Sequence, residues 1–599
     1  MDRCAGPVQR ALPATSPVRP IHFLTALSLA AGLGSAIAEE QPLRVKDLQR
    51  CGDLFSTQSM TFCLRSEGVA EADLKVMLGG KPVATDQENN GRLRLTLSPK
   101  DHQSGPLWLE QGDRRSNPVW LTLNGSHVVP ARPDEVAKNM DGLTTYVDLV
   151  SVIIEEDHDG LEESRRLAKK YDAQVVGAIA PLNTYQLRLP VKDLTERDAL
   201  VLRLGSETSV DAVVVEESSA EEPLEEDRQT KPRNSEWVAN RFLDAVDFYL
   251  HRLTAQTAPI KTHPVRIGII ERDVDFDSPE FAGYLGSCDP AKPRTCVYAR
   301  DAESPADHGS SVTGILAARS VDPSDSGFLS ALEPTSSGFE VIVERNSDAG
   351  ITANVAASVN LVEDGVRVLN WSWGIHRVGT LDVDGEKIDS LVRSGVAMSG
   401  YEELLEEFFL WLRREHPDVV VVNSAGNGSA HSGQDDYRLP SSFITDQLLV
   451  VGAHQRDFSK DVSVEHPEYV TKRPSSNIDM RVDITASACT RAATLELGKR
   501  GEVHCGTSYA TPLVTGAVAA MLSINPALAP EQLRELLRRS ALTIGRNSDF
   551  EAAEADDLTA PILPSERSYQ LGNQDIGRSA RLDMRKALEL SVDSLNQVR

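Results

Sequence analysis

The sequence predicts an α/β protein in which a doubly wound, mostly parallel sheet follows a compact βαββαβ unit and a small N-terminal β-sandwich. Three patterns carry that expectation. From about residue 237 to 599, largely aliphatic runs at 265–270, 339–343, 366–370, 419–422 and 448–451 alternate with helical stretches at 311–319, 353–363, 401–414, 509–523 and 530–540. Continuous hydrophobicity is what a strand covered on both faces requires. Residues 145–217 read strand, helix, strand, strand, helix, strand, with strands at 147–154, 175–179, 185–189 and 210–215 and helices at 161–171 and 194–204. Residues 43–130 instead alternate apolar and polar positions at 74–78, 93–97, 107–109 and 119–123, with Gly79-Gly80 and Asn89-Asn90-Gly91 as turns between them. A period of two broken by such turns marks an antiparallel sandwich.

Composition narrows the function classes. With 40% hydrophobic and 25% charged residues among 599, the chain is globular, and its 40 glycines and 32 prolines follow no collagen period. A net charge of -27 repels phosphate backbones and anionic lipid, so nucleic acid is excluded as an expected partner. Seven of the twelve residues at 216–227 are acidic. With Pro223 and the following Lys231-Pro232-Arg233 they mark an extended, solvated linker over 218–236.

Arg3, Arg10 and Arg19 precede an uncharged run at 23–38 that closes on Ala36-Ile37-Ala38, the pattern of a signal peptide over 1–38 cleaved before Glu39. A membrane anchor is the competing reading, and the run is short for one. No later stretch reads as long and apolar enough to span a bilayer, so no stable span is expected. Removal of the signal takes Cys4 and leaves three close couples, Cys51/Cys63, Cys288/Cys296 and Cys489/Cys505, as disulfide candidates suited to a secreted or periplasmic protein. Other pairings stay open at this point. A zinc site lacks Cys-x-x-Cys couples with histidine at ligand spacing.

Ligands of open parallel sheets bind beyond the carboxyl ends of the strands, which directs attention to the residues just past each aliphatic run. Glu271-Arg272-Asp273-Val274-Asp275 lies after the first, and Asn423-Ser424-Ala425-Gly426-Asn427-Gly428 after the fourth. His308 and Ser508 each open a helical stretch. A serine hydroxyl needs a base within hydrogen-bond reach to become a nucleophile, a base needs an orienting acid, and a developing oxyanion needs fixed donors. At the start of a helix, Ser508 has backbone N–H groups and the positive dipole end beside it.

The order acid, histidine, asparagine, serine, carried by His308-Gly309-x-x-Val312-x-Gly314, Ala425-Gly426-Asn427 and Gly506-Thr507-Ser508-x-Ala510-x-Pro512, resembles the subtilisin-like serine proteases over about 237–545. The resemblance implies a subtilisin-like fold, Ser508 as nucleophile, His308 as general base and acid, and Asn427 as oxyanion donor. It departs at the acid. The family usually has Asp, then Ser or Thr, then Gly at the end of the first core strand, whereas an ungapped reading here places Glu271, with Arg272 and Asp273 after it. Asp273 shares a face with Glu271 if the strand continues, so both stay open as the triad acid.

Substrate binding in the family adds an extended strand to the enzyme. Ser372, Trp373 and Gly374 resemble the edge that receives it, and Ser424, Ala425 and Gly426 the facing wall of the first pocket. The 145–217 unit resembles the family's propeptide, which implies a zymogen that processes itself within 216–236 and a propeptide acting in cis. Calcium often stabilises the family, and Asp273, Asp275 and Asp277 could supply ligands, but no metal or other cofactor is assigned. The expected function is therefore an exported serine endopeptidase acting on polypeptides. The alternatives are an inactive scaffold that binds polypeptides in the same cleft, or an envelope or adhesion protein acting through its N-terminal sandwich. The segment 322–337, rich in Ser, Asp, Gly and Pro, reads as a loop near the cleft.

Overall fold

The computed structural model describes residues 41–599 except 57, 70–72, 89–91, 220–224, 227–235, 254–259, 289–293, 304–307, 321–325, 346–349, 383, 389–390, 431–437, 478–480, 492–502, 545–579 and 596–599. The expected signal peptide and most of the acidic linker lie outside the described residues. Near the N-terminus, two antiparallel sheets face one another. One runs Arg44–Cys51, Met60–Glu67, Arg92–Leu97, Asp86–Gln87; the other runs Lys81–Val83, Lys75–Leu78, Gly105–Gln111, Arg114–Arg115, with Val119–Leu121 pairing Gly105–Gln111. Leu64, Val76, Leu95, Leu107, Leu109 and Val119 share the buried layer between them. The first two strands escape the sequence pattern because Arg44–Cys51 is rich in charge and its register slips between Val45 and Asp47.

The next sheet has the order Val136–Lys138, Thr144–Ile154, Thr184–Arg188, Gln174–Ile179, with Val210–Ser218 pairing the other edge of Thr144–Ile154. Its helices Gly160–Lys170 and Leu194–Leu204 start at Asp159 and Asp193, whose carboxylates accept the N–H groups of Glu162 and Glu196. Such caps satisfy donors that have no intrahelical partner.

The main sheet has ten strands. Its central strands are β1 (Val265–Ile269), β2 (Cys296–Tyr298), β3 (Phe339–Val343), β4 (Val368–Trp371), β5 (Val420–Ser424), β6 (Leu448–Arg456) and β7 (Ile484–Ser487), all parallel to their neighbours in the order β2-β3-β1-β4-β5-β6-β7. The order reverses between β1 and β4, and a crevice opens at such a switch point beyond the carboxyl ends of the strands. Helices α1 (His308–Ala317) and α4 (Thr507–Ile524) pack together, as do α2 (Gly350–Glu363) and α3 (Gly395–Glu415); α5 (Pro530–Ser540) follows α4. Contrary to the sequence expectation, α4 has the length and apolarity of a membrane span, but 94% of it is buried inside the protein. Its hydrophobicity serves the core. A second correction concerns 322–337: a helical turn, Phe328–Ala331, sits there with Phe328 and Leu329 fully buried. A short apolar cluster inside a Ser- and Gly-rich stretch gives no periodicity to read.

The three close cysteine couples are bonded: Cys51–Cys63, Cys288–Cys296 and Cys489–Cys505. Cys489 and Cys505 face each other across an antiparallel pair whose second strand, Val503–Cys505, leads into α4.

Two consecutive glutamates join Val210–Ser218 to the main sheet's helices. The Glu216 carboxylate accepts the N–H groups of Ile351 (3.2 Å) and Thr352 (2.9 Å) at the start of α2, the Thr352 hydroxyl, and the Tyr401 hydroxyl at 2.8 Å. Glu217 accepts from the N–H and the hydroxyl of Ser394, the capping residue of α3, both at 2.9 Å. The same strand lies flat on α3 at Gly400, where a Cβ would stand 2.9 Å from the Val214 Cα. Burial pushes the Glu216 carboxyl up, countered by its hydrogen bonds to Thr352 and Tyr401. Glu216→Ala strands several buried donors and should cost about 2–4 kcal/mol. In a Ser508→Ala background this appears as a lower denaturant midpoint at unchanged slope, and Glu216→Gln recovers part of it.

Candidate active site

Each expected chemical group sits at an element end. Ile270, just past β1, donates its N–H to the Asn370 carbonyl of β4 at 3.2 Å, which holds the two strand ends together at the switch point. Glu271 comes next, and its Oε1 lies 2.9 Å from His308 Nδ1 at the first residue of α1. Glu271 is only 12% exposed, so this contact is shielded from solvent. Asp273, the other acid left open by the sequence, is instead directed to Arg300, with 3.6 Å between Asp273 Oδ1 and Arg300 Nε. The His308 ring packs on the Tyr509 ring, centroids 5.4 Å apart, which brings it to the residue beside Ser508.

Ser508 occupies the first turn of α4. Pro512 lies in the second turn of α4. A proline at 512 cannot donate to the carbonyl four residues earlier, which is that of Ser508. The Ser372 hydroxyl donates to it instead at 2.8 Å, and the Ser508 hydroxyl donates back to the Ser372 carbonyl at 3.2 Å. Behind them, the Asn370 side-chain amide donates to Ser372 Oγ at 2.9 Å, and the Thr515 hydroxyl donates to Asn370 Oδ1 at 2.8 Å. Asn370 and Thr515 are missed by motif reading because they sit inside apolar runs.

Asn427 is oriented by Thr507. Its Oδ1 accepts the Thr507 N–H at 2.8 Å and the Thr507 hydroxyl at 3.0 Å, while the same hydroxyl accepts the Gly426 N–H at 3.1 Å. The amide Nδ2 then faces Gly506, where a Cβ would stand 3.0 Å from it. A side chain at 506 would therefore press on the Asn427 amide.

The two expected substrate walls are cross-braced. The Asn423 amide donates to the carbonyls of Trp371 (2.9 Å) and Trp373 (2.7 Å). The Trp373 ring is half-buried and stacks on Trp371 at 5.0 Å, within an aromatic cluster that includes Phe408. Ala425 donates its N–H to the Val451 carbonyl at 2.8 Å. Gly426 adopts a φ of 103°, in the region that favours glycine. Buried Asn477, which no motif marks, fastens this loop: Oδ1 accepts the N–H groups of Gly428 and Ala430, and Nδ2 bonds the Ala425 carbonyl and His376 Nε2, both at 2.9 Å. Among the described residues no group of three or more His, Cys, Asp or Glu side chains is placed to hold a metal ion. Asp277 is bonded to Arg44 at 2.6 Å, and Asp275 Oδ1 accepts the Asp277 N–H.

Burial, with the Arg438 charge second, pushes the His376 imidazole down to about 3, so it stays neutral and accepts from Asn477. An unfolded histidine titrates near 6.5. Stability from the neutral form is therefore complete above about pH 6.5 and is lost as pH falls toward 3. His376→Gln keeps an acceptor and removes the titration. In a Ser508→Ala background, its loss of stability between pH 7 and 5 should be smaller than that of native His376 by up to about 2 kcal/mol, read from denaturant curves.

Comparison with known proteins supplies the family. The model of the subtilase family matches residues 263–569. A probable subtilase-type serine protease of Deinococcus radiodurans is 23% identical over 402 residues, covering 63% of this chain and 50% of that protein. An extracellular serine protease of Serratia marcescens is 24% identical over 320 residues, covering 47% of this chain and 30% of that protein. The chain thus spans half or less of the length of these two relatives. Among solved structures, the epidermin leader peptide processing serine protease of Staphylococcus aureus aligns at 17% identity with a TM-score of 0.45, over 75% of this chain and 99% of that one. Fervidolysin from Fervidobacterium pennivorans aligns at 15% identity with a TM-score of 0.45, over 78% of this chain and 65% of that one. Because the family match extends over more than half of the 599 residues, the chain belongs to the subtilase family.

Proposed function

We propose that this chain is an exported serine endopeptidase that hydrolyses polypeptides through an acyl-enzyme and is made as a self-processing zymogen. The observation that carries the proposal is the shielded 2.9 Å contact of Glu271 with His308 Nδ1, at the switch point where Ser508 opens α4. In this reading Glu271 accepts a hydrogen bond from the Nδ1–H of His308, which leaves Nε2 as the base that takes the Ser508 proton as Oγ attacks the scissile carbonyl. The same proton then passes to the leaving amine. A water molecule releases the acyl group by the reverse sequence. The oxyanion is received by the Asn427 amide, held by Thr507, and by the Ser508 N–H in the first turn of α4, where helical N–H groups lack an intrahelical partner. Ser372 to Gly374 and Ser424 to Gly426 flank the bound peptide.

The three disulfides and the secreted character of relatives such as the Serratia protease support a secreted or periplasmic location. The unit at 145–217 is read as the propeptide and 43–130 as an accessory sandwich. The Glu216 and Glu217 contacts with α2 and α3 support docking of the former on the catalytic core.

Intact mass after treatment with a fluorophosphonate tests the reading. One adduct per chain is expected on the wild type and none on Ser508→Ala; an unmodified, folded and processed wild type refutes it. Wild type should also cut itself within 216–236 while Ser508→Ala stays whole. Asn427→Ala should lower kcat about a hundred- to a thousandfold. Glu271→Gln, which keeps the shape and removes the anion, should lower it by about a thousand- to ten-thousandfold.

A further inference from the structure

The loop that carries Asn427 is gripped by one side chain from beyond β6. Asn477 is 1% exposed. Its Oδ1 accepts the N–H groups of Gly428 at 3.0 Å and Ala430 at 2.9 Å, which follow Asn427 in the chain. Its Nδ2 donates to the Ala425 carbonyl, which precedes Asn427, and to His376 Nε2, both at 2.9 Å. Its backbone N–H donates to the Gly426 carbonyl at 2.8 Å. An asparagine side chain offers two donor hydrogens and two acceptor lone pairs, and all four are engaged. Aspartate would give up both donors.

The fit is close on either side of residue 427. A Cβ on Gly426 would stand 2.7 Å from Asn477 Nδ2, and a Cβ on Gly428 would stand 2.5 Å from Ile388 Cδ1 and 3.4 Å from His376 Cε1. Next in the loop, Ser429 donates its N–H to the Ser475 carbonyl at 2.9 Å and its hydroxyl to the Pro474 carbonyl at 2.7 Å. The gripping segment is itself fixed to β6. Ala453 donates its N–H to Ser476 Oγ at 2.9 Å, and Arg473 donates its N–H to the Ala453 carbonyl at 3.0 Å.

We infer that Asn477 is a positioning residue for the oxyanion donor: by holding the backbone before and after Asn427, it sets where the Asn427 amide meets the charge that develops on the substrate carbonyl. The inference rests on the protease reading above and adds a residue to the machinery of that site. Thr507 holds the Asn427 side-chain oxygen, whereas Asn477 holds the backbone from which that side chain departs. With both ends held, Nδ2 is placed in advance, and a donor placed in advance needs no rearrangement as charge develops. Without Asn477 the Gly428 and Ala430 N–H groups lose their acceptor and the loop shifts. A displacement of about 1 Å can cost about a hundredfold in rate. Because the oxyanion exists only on the way to the acyl-enzyme, the loss falls on kcat and leaves substrate affinity nearly unchanged.

The test uses the full-length, self-processed chain. Fluorophosphonate labelling, read by intact mass, counts competent Ser508 in each preparation, so that rates are expressed per labelled site and a loss of folded protein is not mistaken for a loss of catalysis. Wild type, Asn477→Ala, Asn427→Ala and the double variant are then compared on the acyl-tetrapeptide coumarin amide that the wild type cleaves fastest. Asn477→Ala should lower kcat about ten- to a hundredfold while KM stays within about threefold. In the Asn427→Ala background the same substitution should lower kcat by less than about threefold, since the donor it positions is gone. If Asn477→Ala fails to fold, Asn477→Ser, whose shorter side chain cannot serve both sides of the loop, carries the same cycle. Equal losses in the two backgrounds, or an unchanged kcat per labelled site, overturn the inference and leave the protease reading standing. A folded, processed wild type that takes no label overturns both.

Discussion

The first turn of α4 is the fixed point on which the site depends. The helix is buried along nearly its whole length, so its start cannot move without disturbing the main core. Two connections transmit that rigidity to the cleft. Pro512 removes the helical donor of the Ser508 carbonyl, and Ser372 takes its place. Thr507 grips the Asn427 carbonyl oxygen and receives the Gly426 N–H. Both segments expected to flank substrate are therefore bonded to the turn that carries Ser508, one through residue 508 and the other through residue 507. A change in either segment is felt at Ser508, and in the proposed enzyme small shifts far from the reacting atoms would matter for that reason.

The acidic side of the site is organised by one cation. Arg300 lies 3.6 Å from Asp273 and 3.7 Å from Asp47, and it opposes the burial that pushes the Glu344 carboxyl up to about 7. This leaves Glu271 as the carboxylate directed at His308. Asp47 comes from the N-terminal sheet, which also sends Arg44 to Asp277 and Lys46 to buried Asp301, each at 2.6 Å. Asn117 bonds the Ala299 carbonyl at 2.8 Å, and Trp120 donates to Asp364 at 2.8 Å. Removing the N-terminal strands would leave buried Asp301 without Lys46 and Arg44, a loss larger than that of a surface ion pair. The sandwich is thus energetically part of the framework behind Glu271 and His308.

Sequence patterning located the main strands and helices within a few residues because strands covered on both faces are dominated by aliphatic residues and the helices are either apolar or clearly amphipathic. Phe339–Val343 and Pro530–Ser540 coincide with their runs, and His308 and Ser508 open helices as their motifs suggest. What escaped detection has no local signal. Arg44–Cys51 is stabilised by a partner strand and a disulfide more than by its own alternation. Asn370, Asn477 and Thr515 act through contacts with residues far away in sequence, and their neighbours are apolar or ordinary loop residues. The choice between Glu271 and Asp273 turned on Arg300, whose approach to Asp273 is a property of the tertiary fold.

The connection between the βαββαβ unit and the catalytic core has two separable parts. Glu216 and Glu217 hold the end of Val210–Ser218 on the starts of α2 and α3 through several buried hydrogen bonds. Only a few residues later, at Glu225–Glu226, the backbone is paired with the strand leading to Ser508. In the zymogen proposed above, a tether this short gives the linker a high effective concentration at the cleft, which favours processing in cis over an encounter between two chains. Cutting it, however, breaks none of the contacts that Glu216 and Glu217 make. The severed unit would remain seated by the same caps that place it, and its departure would require breaking bonds at α2 and α3 rather than at the catalytic serine. In such an arrangement cleavage and release are distinct events, and the second is governed by the stability of two buried glutamates.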